Sequence, residues 1–430
     1  MSIYCRMASA LSAPEAAEQL NRLYGSRDCQ LLTQVNRYKR LLYRHENLFD
    51  SPGPIALISA PGRVEIGGNH TDHNRGRVLA ASANLDVVAA VSPRDDMIVN
   101  IHSEGHAPVS LTLDQLEPVP DEAETSAGLV RGVAAGVRAL GRGIGGFDAA
   151  MTSTVAPGSG LSSSAAFEVL ISAIFDRLYG GGNLDFVSQA KIGQQAENVY
   201  FGKPSGLLDQ MASAAGGLVT VDFRLDEPEV TPLAYDFDAR GYSLVVVATG
   251  GSHADLTADY AAIPAEMKQV AAHFGKQCLR EVQPDELMAA IPALRGEVSD
   301  RAIMRAVHFF NENSRVLRQV EALRRDDLGA FLWEIKESGR SSYMYLQNIW
   351  ARPDDQSLAL ALCMAEELLG NNGAWRIHGG GFAGTTLNFV PHWLLDRFLS
   401  VMRDTFGQDS CHVLGIRPVG SHVLEMGDLA

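Results

Sequence analysis

Cysteine is scarce and scattered in this chain. The five, Cys5, Cys29, Cys278, Cys363 and Cys411, form an odd set without close spacing among 430 residues, which excludes a disulfide framework and a zinc site. No apolar run approaches the roughly 18 residues of a membrane span, and the first residues carry no convincing signal peptide, so the cytoplasm is the expected compartment. Basic residues are outnumbered, 36 against 51 acidic, for a formal charge of −15. A field of that sign repels nucleic acid and anionic membranes, so neither is expected as a partner, and a bound polyphosphate would have to be held locally. A Walker A motif is missing too: Gly202-Lys203 and Gly275-Lys276 both lack the leading glycine. Gly141-Arg-Gly-Ile-Gly-Gly146 has the dinucleotide spacing, but a helix is expected before it and a strand after, the reverse of what that site needs. What the chain does have is 46% hydrophobic and 20% charged residues, enough core for two or three domains of a globular protein.

Residues 12–47 read as helical with a break at Tyr24-Gly-Ser, and a linker, Ser51-Pro-Gly-Pro54, leads into a short buried strand, Ile55 to Ala60. Further strands are expected between Val78 and Val91 and at Ile98 to Ser103, then a helix from Ala127 to Leu140. Phe147 to Val155 alternates as a half-buried strand does, and Ala166, Val169, Leu170, Ala173, Ile174 and Leu178 recur at helical spacing. Between these two lies Pro157-Gly158-Ser159-Gly160-Leu161-Ser162-Ser163-Ser164-Ala165. Glycines let the backbone approach a ligand, and the first turn of the helix leaves unpaired N–H groups with partial positive charge, which together suit an anion. A glycine turn in which Ser162 or Ser163 merely caps the helix is the competing reading. Three consecutive hydroxyls favour a phosphate with its metal ion.

Pro61 to Gly76 is dense in charged and amide groups where the first strand is expected to end, a pattern suited to paired hydrogen bonds with sugar hydroxyls or to a solvated loop. Downstream, a helix from Val187 to Phe201 carries Glu197 and stops at Gly202-Lys-Pro-Ser-Gly206; Asp209 follows, a functional acid or a helix cap. Ser243 to Thr249 reads as a strand, and Tyr260 opens a helix beyond it. Residues 264–349 are helical in pattern with no chemistry in their spacing. From Ser357 the elements alternate: helix to Leu369, strand Trp375 to His378, the loop Gly379-Gly-Gly-Phe-Ala-Gly384, strand Thr385 to Val390, helix Trp393 to Phe406 and strand Cys411 to Ile416.

Three of these stretches resemble the GHMP kinases in the right order. The loop resembles Pro-x-x-x-Gly-Leu-x-Ser-Ser-Ala, and residues 379–384 resemble Gly-Gly-Gly-Phe-Gly-Gly, with Ala383 for one glycine and Thr385 for the usual Cys. Residues 62–74 resemble the galactokinase stretch Gly-Arg-Val-Asn-Leu-Ile-Gly-Glu-His-Thr-Asp-Tyr-Asn, but with Glu65, Gly67, His73 and, where that family has its sugar-contacting Glu, Asn69. Ala196-Glu197 through Gly202, Pro204, Gly206, Asp209 and Gln210 reproduces the galactokinase Ala-Glu-x-x-x-x-Gly-x-Pro-x-Gly-x-x-Asp-Gln.

The resemblance implies an α+β two-domain fold, with a ribosomal-S5-domain-2-like N-terminal domain and a ferredoxin-like C-terminal domain, here residues 51–235 and 240–430 after a helical appendage at 1–50. It implies ATP and Mg²⁺ as cofactors and phosphorylation of a sugar, foremost galactose, at its anomeric hydroxyl. Asp209 would face that hydroxyl and Arg63 would offset charge on the moving phosphoryl group. Glu65, Asn69, His70, Asp72 and Tyr260 would hold the sugar, residues 157–165 the triphosphate, and Ser164 with Glu197 the metal. Galacturonate or arabinose is the alternative substrate, since His73 is shared with galacturonate kinases and Asn69 removes a charge near C6. A catalytically silent sugar and ATP sensor is the rival outside enzymology. The oligomeric state is open, a monomer being favoured.

Overall fold

The computed structural model describes residues 2–25, 28–49, 53–155, 160–250, 256–350, 352–382 and 384–426. Pro157, Gly158, Ser159 and Ala383 lie outside them. An eight-stranded sheet is built from β1 (Ala56–Gly67), β2 (Arg77–Pro93), β3 (Ile98–Ser103), β4 (Val109–Thr112), β5 (Phe147–Ser153), β6 (Leu218–Asp222), β7 (Glu229–Leu233) and the late strand β12 (His422–Leu424). Its main path runs β12-β1-β2-β5-β3-β4, with β6 and β7 branching from the far half of β2. Two expectations fail here. Residues 77–93 form one long strand instead of several, and β1 does not stop at Ala60 but runs to Gly67. Register shifts between Pro61 and Arg63 and between Glu65 and Gly67 absorb the irregular residues, so the polar run keeps its pairing to β2 and its side chains are aimed by a ladder rather than by a loop.

Alternation along the strands separates two cores. Ile58, Ala60, Ala89, Val91 and Met151 face the helices Ser126–Ala139, Ser163–Phe175, Phe186–Gln195 and Leu208–Ala215. Their neighbours Leu57, Val88, Ala90 and Ala150 face the helices Ile3–Ala10, Pro14–Tyr24 and Asp28–Phe49, of which the first was not legible in the sequence. Helix Ser163–Phe175 is apolar nearly all round because it is buried nearly all round; Glu168 and Ser172 are its buried polar exceptions.

The smaller sheet comprises β8 (Tyr242–Ala248), β9 (Ala374–His378), β10 (Thr385–Pro391) and β11 (Cys411–Leu414), antiparallel in the order β11-β8-β10-β9. With helices Ser357–Leu369 and His392–Phe406 this is the ferredoxin-like β-α-β-β-α-β arrangement. Helices between Thr257 and Ser341 are inserted after β8. Among the described residues no helix is long and apolar enough to cross a membrane.

The N-terminal helices and the chain's end meet at a buried carboxylate. Asp86 accepts from Arg37 Nη1 at 2.6 Å, from Arg417 Nη1 at 3.0 Å and from the hydroxyls of Tyr24 and Ser59. Asp86→Ala would leave two buried guanidinium groups without a counter-charge, so a loss of about 3–5 kcal/mol in urea unfolding is expected. A loss below about 1 kcal/mol would show that the cluster tolerates its missing anion.

Candidate active site

One cavity of about 510 Å³ lies between the two sheets and gathers the three motifs. Its floor is the start of helix Ser163–Phe175. Ser162 there has φ 55° and its side chain makes no cap, so the capping reading is set aside and, among the described residues, no side chain caps the first-turn N–H groups. Ser162 Oγ donates instead to Asp209 Oδ2.

Asp209 sits in the first turn of helix Leu208–Ala215. Arg63, from the bulged part of β1, grips it with both edges of the fork: Nε to Oδ1 at 2.7 Å and Nη2 to Oδ2 at 2.9 Å. Arg63 Nη1 donates to the Gly160 carbonyl, and its backbone N–H donates to Leu161 O at 3.0 Å. A single arginine thus joins the sequence's first, second and Asp209 segments. Burial alone would raise the Asp209 carboxyl; Arg63 and the Ser162 hydrogen bond outweigh it and hold it below its ordinary value. The side chain keeps about a third of its surface exposed, 34%, toward the cavity.

Glu197, nearly buried on the π-helical turn Ala196–Phe201, receives Ser164 Oγ at 3.1 Å and Lys203 Nζ at 2.9 Å on Oε1, and Gln210 Nε2 at 2.9 Å on Oε2. Gln210 Nε2 also donates to Glu168 Oε2 at 2.9 Å. Burial and the charge of Glu197 push the Glu168 carboxyl well above its usual range.

The opposite wall is a set of side chains held by carbonyls of the glycine loop. His70 Nε2 lies 3.0 Å from Gly380 O, and Tyr260 donates its hydroxyl to Gly381 O at 2.8 Å. Burial, helped by His73, lowers the His70 pKa to about 3, so the ring is neutral, donates from Nε2 and leaves Nδ1 as an acceptor. Asp72 Oδ2 accepts from Leu208 N at 3.4 Å, linking this wall to the Asp209 helix. A Cβ at Gly206 would stand 1.8 Å from Asp72 Oδ2, so a larger residue there would displace the Asp72 carboxylate.

Asn69 requires a correction. Expected to touch the ligand, it is fully buried behind the wall: Nδ2 donates to Glu65 Oε1 at 2.9 Å and to Gly379 O at 2.8 Å, and Oδ1 accepts from Asn348 Nδ2 at 2.9 Å. The group facing the cavity is Glu65. Its Oε1 also takes Arg376 Nη2 at 2.6 Å, while no described residue donates to Oε2. Burial raises the Glu65 carboxyl above its ordinary value, against the pull of Arg376, Arg63 and Asn69.

The sequence reading missed His378, Thr385 and Lys203, all on the cavity wall. His378 Nε2 accepts the Glu65 N–H at 3.1 Å, and burial between Arg63 and Arg376 keeps the ring neutral. Its place directly before the glycine loop was the available signal. The inserted helices, whose spacing carries no chemical signal, brace the wall from behind: His308 Nε2 lies 3.0 Å from Asn69 O, and Glu312 Oε1 accepts from Gly68 N at 3.1 Å.

The serine-rich start of a buried helix, faced by a glycine loop from a ferredoxin-like domain, is an arrangement of the GHMP kinase class. The GHMP kinase N-terminal domain matches residues 128–217. The fold is shared with mevalonate kinase of Methanococcus jannaschii, TM-score 0.60 at 13% identity over 84% of this chain and 98% of that one. It is also shared with Lactococcus lactis galactokinase complexed with galactose, TM-score 0.78 at 24% identity over 88% of this chain and 98% of that one. The galactokinase galactose-binding signature matches residues 43–93. The galactokinase of Streptomyces coelicolor is 34% identical over 361 residues, 82% of this chain and 89% of the relative. That of Actinobacillus pleuropneumoniae is 32% identical over 362, covering 81% and 88%. The chain belongs to the galactokinase family: it is an ATP-using sugar kinase.

Proposed function

We propose that the protein transfers the γ-phosphoryl group of ATP to the anomeric hydroxyl of galactose. The observation that carries this is the Arg63–Asp209–Ser162 cluster, which seats one carboxylate between the serine-rich helix start and the wall formed by Glu65, His70, Asp72 and Tyr260. Phosphoryl transfer asks little covalent work of a protein, so catalysis is positioning and charge compensation. Asp209 accepts the hydrogen bond of the attacking hydroxyl and aligns its oxygen. With its basicity reduced by Arg63, it orients the nucleophile and takes the proton late. Arg63 faces the charge that builds on the transferred group. The loop before Ser163 holds the triphosphate with backbone N–H groups, with Pro157, Gly158 and Ser159 assigned to it from the motif.

A magnesium ion fits Ser164 and Glu197. One hydroxyl and one carboxylate converge 3.1 Å apart at the helix start, and Mg²⁺ takes its remaining ligands from phosphate and water. The ion would neutralise phosphate charge when bound.

On the sugar side, His70, Asp72 and Tyr260 shape the wall, and Glu65 supplies the carboxylate. The family motif has Asn where this chain has Glu65, and Glu where it has Asn69, so the acid and the amide have changed places while remaining hydrogen-bonded to each other. Glu65 Oε2 is then the acceptor for a sugar hydroxyl remote from the anomeric centre. It also disfavours a uronate: a second carboxylate about 4 Å away costs roughly 4 kcal/mol at an effective dielectric near 20, before Arg376 offsets part of it. This reverses the inference from Asn69, which had eased entry of a charged C6.

The test is kcat/KM, from ADP release, for galactose, galacturonate, arabinose and N-acetylgalactosamine on wild type and Glu65→Gln. Galactose should lead on the wild type. Losing a charged acceptor should lower its kcat/KM by about 10- to 100-fold and raise galacturonate relative to it. An unchanged ranking in the variant would remove Glu65 as the reader of the sugar, and a wild type that prefers galacturonate would overturn the assignment to galactose.

A further inference from the structure

Lys203 was set aside when the Walker A pattern failed, yet it stands at the phosphate end of the cavity. Its backbone N–H donates to Glu197 O at 3.0 Å, which fixes the main chain of the Gly202-Lys203-Pro204 turn. The side chain is 57% exposed and its ammonium caps Glu197 Oε1 at 2.9 Å. Ser164 Oγ is 3.1 Å from that same oxygen. The lysine therefore occupies the carboxylate oxygen that the metal would share with Ser164. A dication and an ammonium cannot both sit there, because their repulsion is strong at such range. In a chain of net charge −15 a polyphosphate also needs local positive charge, and Lys203 is a largely exposed cation on the carboxylate that Ser164 shares.

Building on the kinase reading, we propose that Lys203 is a nucleotide-contacting cation. It holds and neutralises Glu197 in the unliganded enzyme, and on nucleotide binding it releases that carboxylate and turns its ammonium to the oxygens of the triphosphate. A flexible, largely exposed stem permits the swing, and an ammonium serves phosphate as a point charge.

The experiment is calorimetric titration of ATP in EDTA, without any divalent ion, into wild type, Lys203→Met and Lys203→Arg, with melting temperatures recorded in parallel. Wild type should bind metal-free ATP measurably. Lys203→Met should weaken that binding at least about tenfold, the scale of one charge-assisted hydrogen bond, and Lys203→Arg should restore most of it. Manganese titrated without nucleotide should bind Lys203→Met more tightly than wild type, since the competing cation has gone. An unchanged metal-free ATP affinity in Lys203→Met overturns the proposal whatever manganese does. An equal loss in the Met and Arg variants also overturns it, because it marks a packing role, and so does a wild type that binds ATP only with magnesium. A wild type that binds no nucleotide under either condition removes the kinase reading itself.

Discussion

Asp209→Asn should lower turnover by about 100-fold or more, the scale of a positioned acid–base group, while ATP affinity stays within about threefold. The amide has nearly the same shape, so the helix Leu208–Ala215 and the cavity persist. What changes is the charge facing Arg63: two charge-assisted bonds at 2.7 and 2.9 Å lose their anion, and the attacking hydroxyl loses its acceptor. A coupled ADP-release assay with saturating sugar measures the loss. Retention of more than a third of wild-type turnover would remove Asp209 from the reacting centre. The pH profile gives an independent check. Because Arg63 holds the carboxyl below its ordinary value, the group stays ionised through the neutral range. Wild-type activity should therefore fall with Asp209 protonation only below the usual carboxylate range.

Gly160→Val should abolish measurable nucleotide binding. Gly160 has φ +71°, a region a branched residue enters only with strain, and its Cβ would stand 2.0 Å from Thr385 Oγ1 and 3.1 Å from His378 Nδ1. Those neighbours belong to the strand ends of the other sheet, so the loop must move, and with it the Gly160 carbonyl that Arg63 Nη1 holds. Strain of about 3 kcal/mol on the loop's bound shape already corresponds to more than about 100-fold in affinity. ATP titration of the folded variant decides it, and unchanged affinity would place the phosphates elsewhere.

What could be read from the chain depended on whether the information was local. Gly160 and the three serines lie within one turn, and Glu197 and Asp209 flank one short glycine and proline stretch, where residue type dictates backbone shape, and these segments reappear together around the cavity. The extension of β1 to Gly67 was not local: it depends on the length of β2 and on two bulges that only pairing reveals. Asn69 shows the same limit more sharply. Its residue type suggests a ligand contact, but its partners lie far along the chain, Ser342 on a helical turn and Asn348 just beyond that turn's end, in a stretch whose spacing carries no chemical signal. Only the fold shows that the amide's capacity is already used and that Glu65 faces the cavity instead. The swap within the motif was visible as letters, and its meaning became physical once both side chains had positions.

The chemistry proposed above sends the phosphoryl group to the anomeric oxygen of galactose. Phosphorus NMR of the product formed from ATP, magnesium and galactose tests it most directly. The expected result is one new phosphomonoester resonance, coupled to the anomeric proton and growing in step with ADP. A phosphorus resonance coupled to the C6 protons, or ADP release without any sugar phosphate, would contradict it.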